Sequence, residues 1–192
     1  YQVPMSMPDI TGDEIQAVLR VMQSRNLSMG AQTDTLEKMA AEVAGAAHGV
    51  AVINGTAALH LGMLAAGVGP GDEVITSPYS FIASANCILY EKATPVFVDI
   101  DPSSYNIDPH KIEAAITERT RAIIPVHIFG QPADMDPILE IAQKHNLVVV
   151  EDAAEAIGAH YNGRPVGAIG KAGVFAFYPN KQMTTGEGAV LV

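Results

Sequence analysis

Residues 50–76 read VAVINGTAALHLGMLAAGVGPGDEVIT, and the rhythm of this stretch decides the fold. VAVIN (50–54) is a short apolar run, TAALHLGMLAA (56–66) has the length and character of a helix, and DEVIT (72–76) is again short and β-branched. The alternation continues downstream. FIASANCILY (81–90) reads as helix, PVFVD (95–99) and AIIPVHI (122–128) as buried strands, and LVVVED (147–152), GVFAFY (173–178) and AVLV (189–192) as further strands. Asp108 then Pro109, and Asp136 then Pro137, each open a helix, because proline suits the first helical turn. Near-continuous apolar strands alternating with helices predict a three-layer α/β/α fold with a mostly parallel sheet.

Upstream, Thr11 and Glu14 form a capping-box pattern, with Ile15, Val18, Leu19 and Met22 on one helical face. Asp34 and Glu37 repeat it before Leu36, Met39, Ala40 and Val43, and Gly45 stands at the C-cap. No internal repeat or linker divides the chain. Because it stops within a strand-like run, it is expected to be a fragment or an incomplete record.

Composition narrows the function. The 192 residues match one domain of roughly 100–200, and 48% of them are apolar, enough for a sizeable core. A net charge of -10 opposes wrapping a polyanion, so neither nucleic acid nor an anionic membrane is an expected partner. Cys87 is the only cysteine, no Cys/His pair has zinc spacing, and YQVPMSMPDI lacks a signal pattern, which points to the cytoplasm. No apolar run approaches the roughly 20 residues of a membrane span, and no metal site is expected.

Ligands of such sheets bind beyond the carboxyl ends of the strands. Gly67, Gly69 and Gly71 follow a helix and precede a strand, the reverse of a dinucleotide loop, so they read as a turn. Gly62 and Gly67 have phosphate-loop spacing, but Val68 stands where that motif needs Lys. In INGTAALHL, a strand runs through Asn54 and Gly55 into a helix beginning near Thr56; its free N–H groups suit a phosphate, while taken alone the stretch reads first as an ordinary Thr cap with Gly55 relieving backbone strain. Asp152 ends a strand and either faces the crevice or caps a turn. Asp99 is a comparable case, and His127 either faces the crevice or is a buried hydrogen-bonded histidine. Lys181 lies in a polar, glycine-containing segment between two strands. Beside a phosphate anchor and a strand-end carboxylate, its amine could attack an aldehyde to form an imine.

This combination resembles the DegT/DnrJ/EryC1/StrS sugar aminotransferases, fold-type I enzymes dependent on pyridoxal phosphate. The resemblance runs collinearly through PDITGDEI, NGTAALHL, GPGDEVITSPYSFIASAN, PVFVDIDPSSYNID, IIPVHIFGQPADM, VVVEDAAEAIGA and FAFYPNKQMTTGEG. It implies that residues 1–192 are the N-terminal segment plus an incomplete cofactor-binding large domain, with a smaller C-terminal domain absent. It also implies that Lys181 forms the imine with the cofactor and shuttles protons, and that Asp152 pairs with the pyridinium nitrogen. Gly55, Thr56 and Ala57 match the helix start that holds the phosphate, and Phe81 the aromatic stacked on the ring, although a core aromatic at a helix start fits the same spacing. Glu155 stands where many members place Gln or His near the cofactor's phenolic oxygen, so an acid there needs a proton or another partner. Ala176 replaces a common phosphate-binding Ser, and GEGAV a commoner Gly-Gly form.

The resemblance implies amino transfer, with glutamate as donor and a nucleotide-linked keto-sugar as acceptor, by a homodimer with shared active sites. Residues 24–32, SRNLSMGAQ, are expected near the sugar entrance. Alternatives are a dehydratase or epimerase using the same cofactor, or a non-catalytic regulatory protein on the same fold. In related dehydratases His replaces the lysine, so Lys181 favours transamination.

Overall fold

The computed structural model describes residues 7–192, so most of the stretch read for a leader lies outside the described residues. Seven strands make the main sheet: β1 (Val50–Val52), β2 (Glu73–Thr76), β3 (Thr94–Phe97), β4 (Thr120–Ile124), β5 (Val148–Asp152), β8 (Ala172–Ala176) and β9 (Ala189–Leu191). Two more, β6 (His160–Tyr161) and β7 (Arg164–Pro165), form a separate antiparallel hairpin. The sheet order is β1-β9-β8-β5-β4-β2-β3. From β8 to β3 every pair is parallel. Only β9 runs the other way, antiparallel to both β8 and β1.

Helices α1 (Gly12–Ser24), α2 (Ala31–Ala44), α3 (Gly55–Ala65), α4 (Ala83–Tyr90), α5 (Pro109–Ile112) and α6 (Met135–His145) complete the chain. Strand periodicity sorts the core into two layers. On one face Val74, Ile124, Val150 and Val174 meet Leu59 and Met63 of α3 and Cys87 and Ile88 of α4. On the other, Ile75, Ile123 and Val149 pack with Ile112 of α5 and Met135 and Ile138 of α6, while Phe175 packs with Ala40 and Ala44 of α2. Each fully buried Ile, Leu or Phe contributes about 1.5–3 kcal/mol.

Several boundaries differ from the sequence reading. The Thr11–Glu14 capping box forms as expected, with the Thr11 N–H donating to Glu14 at 2.7 Å. The apolar face it introduces is nonetheless exposed, and no residue of α1 is buried. Helix α2 starts one turn before Asp34, at the Gly30 cap, because Ala31, Gln32 and Thr33 continue the helix upstream. Glu37 is thereby freed to accept the Ala51 N–H at 2.8 Å. Gly45 takes the left-handed C-cap, φ 69°, as expected. Asp108 caps α5 as expected, but α6 begins after Asp134, so Asp136 and Pro137 fall within its first turn. β3 lies at the edge of the sheet and is half-exposed rather than buried. β4 stops at Ile124, where Pro125 follows with no N–H to give.

Candidate active site

A cavity of about 730 Å³ opens where the carboxyl ends of the parallel strands meet. Its walls include Gly55, Thr56, Phe81, Asp152, Glu155 and Lys181. Six of the seven residues expected from the sequence thus converge from four segments between 25 and 126 positions apart along the chain.

The tip of α3 forms one wall. Asn54, not Thr56, is its cap: the Asn54 side chain accepts the Ala57 N–H at 2.9 Å, and its carbonyl accepts the Ala58 N–H. The N–H of Ala57, expected to face a phosphate, is therefore already engaged. Those of Gly55 and Thr56 precede the first intrahelical bond and stand at the positive end of the helix dipole. A Cβ on Gly55 would lie 3.1 Å from that of Ala176, so glycine lets the helix tip sit against β8.

Asp152 closes β5. Its backbone is clamped to the 125–127 segment, donating to the Pro125 carbonyl (2.9 Å) and accepting from the His127 N–H (3.0 Å). The carboxylate is 5% exposed, accepts the Ser84 hydroxyl at 2.7 Å, and takes a longer 3.3 Å bond from the Ala154 N–H. Burial pushes its carboxyl above the ordinary range, against these hydrogen bonds and the Lys181 charge. Sequence reasoning missed Ser84; nothing local marks a contact made across 68 residues.

Lys181 sits on a loop wound back onto Phe177, whose carbonyl accepts from the Thr184 hydroxyl and the Thr185 N–H. Its Nζ lies 2.8 Å from Glu155 Oε1. Glu155 Oε2 accepts the Phe129 N–H at 3.2 Å, and the Glu155 carbonyl accepts from the Gln182 side chain. The acid at position 155 thus has its partner: the amine itself. Phe81 precedes α4 and is 72% exposed, which excludes the core-aromatic reading and leaves its ring at the cavity.

His127 is a buried, hydrogen-bonded histidine that also touches the cavity. Its Nδ1 accepts the Ala133 N–H (3.0 Å), so Nε2 carries the proton and donates to Glu151 (2.9 Å). Glu151 is buried as well, which raises its carboxyl, but bonds from His127, Gly170 and Gly167 outweigh that and hold it below the ordinary value. Asp99 is exposed beside Lys111 and does not line the cavity, nor does any residue of 24–32. Among the described residues, no His/Cys/Asp/Glu group is arranged to hold a metal.

The family model for the DegT/DnrJ/EryC1/StrS aminotransferases matches residues 8–192. The chain belongs to this family. It is 49% identical over 191 residues to the GDP-perosamine synthase of Caulobacter vibrioides, covering 99% of this chain and 52% of that protein. It is 48% identical over 182 residues to the UDP-N-acetyl-3-dehydro-alpha-D-glucosamine 3-aminotransferase of Acidithiobacillus ferrooxidans, covering 94% and 49%. Among solved structures, the PLP-form of Spr1654 from Streptococcus pneumoniae superposes with a TM-score of 0.96 at 35% identity, covering all of this chain and 53% of that one. A PMP-form of the same protein matches equally well. The DegT-family chain spans about half the length of the curated relatives it matches. Its α/β/α fold with a mostly parallel sheet is the one these aminotransferases share.

Proposed function

We propose that the full-length protein is an aminotransferase that uses pyridoxal 5'-phosphate to move an amino group from glutamate to the ketone of a nucleotide-linked sugar. One observation carries this reading: an amine, a buried carboxylate and an open helix tip meet in a single cavity. These groups fit the cofactor. The α3 tip offers N–H donors for a phosphate, Asp152 keeps lone pairs beyond those given to Ser84 and Ala154, and Lys181 is one-seventh exposed at the wall. The family match, and relatives whose names are those of sugar aminotransferases, point the same way.

Pyridoxal phosphate would supply an aldehyde that carries the amino group and a ring that takes up the electron pair of the reacting carbon. The protein's residues do the rest. Gly55 and Thr56 N–H groups would hold the phosphate, and Phe81 would offer an aromatic face to the ring. Asp152 holds the proton of the ring nitrogen, since an anion there favours the charged form. Lys181 Nζ would be the amine that anchors the aldehyde. The same amine would act as general base for the proton of the substrate carbon and pass that proton on as general acid. Glu155 must release Nζ for either step, and its second hold, on the Phe129 N–H, keeps it in place to take the amine back.

Charge supports a shared site. Lys181 is the one Lys or Arg lining the cavity among the described residues, against Asp152, Glu155 and Glu187. A cofactor phosphate, a sugar-bound diphosphate and a dicarboxylate donor need further cations, which a homodimer and the rest of the full-length chain would bring. We accordingly read residues 1–192 as the N-terminal segment and most of a cofactor-binding large domain, of a cytoplasmic enzyme.

The test is the absorbance spectrum of the purified full-length protein with pyridoxal phosphate, before and after glutamate. The expected result is a visible band that moves to the near-ultraviolet position of the aminated cofactor, with 2-oxoglutarate released. A band that glutamate leaves untouched, with water lost from a nucleotide-sugar instead, would replace this reading with a dehydratase.

A further inference from the structure

Two serines beside the cavity have no part in the roles above. Ser80 Oγ lies 2.7 Å from Ser84 Oγ, and Ser84 Oγ lies 2.7 Å from Asp152 Oδ2. Ser84 is 1% exposed, so its hydroxyl has no solvent to turn to. Its other acceptor, the Phe81 carbonyl, is 3.3 Å away. A hydroxyl proton shared between a carboxylate at 2.7 Å and a carbonyl at 3.3 Å goes to the carboxylate, where the bond is charge-assisted. Ser80 then donates to Ser84, and the two hydroxyls polarise one another along the chain. On the other carboxylate oxygen, Ala154 gives only the 3.3 Å bond. Among the described residues, Ser84 is therefore the one short donor that fixes how the buried carboxylate is turned.

Geometry adds a second consequence. Ser80 and Phe81 lie in the turn leading into α4, Ser84 stands in the first turn of that helix, and Asp152 lies 68 residues beyond Ser84 on β5. The Ser84 bond ties these two elements together at the cavity wall.

We propose that Ser84, backed by Ser80, is a positioning residue for Asp152: it turns the carboxylate so that its free lone pairs meet a protonated aromatic nitrogen, and it fixes the Phe81 turn to the end of β5. The inference rests on the pyridoxal phosphate reading. Burial drives the Asp152 carboxyl upward, and the Ser84 bond is the strongest influence opposing that. Without it the carboxyl rises further, and its support for a protonated ring nitrogen would weaken.

The experiment uses full-length protein with pyridoxal phosphate labelled with ¹⁵N in the ring, comparing wild type, Ser84→Ala, Ser84→Thr and Ser80→Ala. Two quantities are read: the cofactor's dissociation constant and the ¹⁵N shift of the ring nitrogen. Wild type should show a pyridinium signal. Ser84→Ala should bind about tenfold or more weakly, the loss of one hydrogen bond to a charged group, with its signal displaced toward neutral pyridine. Ser84→Thr, which keeps the hydroxyl, should restore both, and Ser80→Ala should move both in the same direction by less. A folded Ser84→Ala protein with unchanged affinity and an unmoved signal overturns the proposal. Should that variant not fold, Ser80→Ala decides: an unmoved signal there is equally fatal. Wild type that takes up no pyridoxal phosphate would sink the cofactor reading and this inference with it, an outcome distinct from a serine substitution without effect.

Discussion

At the scale of single residues, the site holds a carboxylate that costs the unliganded fold stability. Asp152 is buried, and burial raises its carboxyl above the value of an unfolded chain. A carboxyl raised in the folded state costs nothing below the unfolded value of about 4, where both states bind the proton; the cost appears as pH rises above it. Asp152→Asn keeps the shape and an acceptor for Ser84 while removing the charge. Urea unfolding without cofactor should therefore find the variant more stable than wild type near neutral pH, with the gap closing below about pH 4, while amino transfer falls by about 10²-fold or more. Lower stability of Asp152→Asn at neutral pH would mean that the carboxylate is held for the fold and not for a ligand. Lys181 and Asp152 were legible in the sequence because each ends or follows a strand at the edge where ligands bind. Ser84 was not, since its importance lies in a contact that no local spacing encodes. The Lys181–Glu155 pair stood between the two: the acid was visibly out of pattern, but only the fold brings the amine to it.

At the scale of elements, β8 is packed tightly at Gly173. Gly173 faces the 167 loop so closely that a Cβ would enter the van der Waals shell of the Gly167 carbonyl and Cα. Gly167 itself, at φ +102°, has space only for hydrogen above the Phe175 ring and gives its N–H to Glu151. Gly173→Ala must push this packing apart and should destabilise the protein by about 2–4 kcal/mol in urea unfolding. Gly69→Ala, in open space on the α3–β2 turn, should change it by less than about 0.5 kcal/mol. Equal effects would contradict the packing described for β8. The parallel strands and the helices between them were readable because buried strands are apolar throughout and proline or glycine marks their ends. Helix starts were less so. A side chain that fits a capping box also fits the first turn, and in α2 the upstream residues carried the helix past Asp34 to Gly30. The edge position of β3 was hidden too, because strand order depends on long-range pairing that composition does not report.

Over the whole molecule, a sheet with one reversed strand brings the α3 tip, the end of β5, the turn before α4 and the loop after β8 to one rim. The collinear motifs made that convergence readable in outline, and its walls set Asp152, Glu155 and Glu187 against Lys181. The uncovered apolar face of α1 was legible as a helix, but not as exposed, because the sequence pattern of a buried face and of an unpartnered one is the same. What the account requires above all is that the amine of residue 181 is the one that captures the cofactor aldehyde. The direct measurement is borohydride reduction of the full-length protein loaded with pyridoxal phosphate, followed by peptide mapping by mass spectrometry. The account predicts a stable phosphopyridoxyl group on Lys181 in near-stoichiometric yield; the same mass on another lysine, or no modification at residue 181, would contradict it.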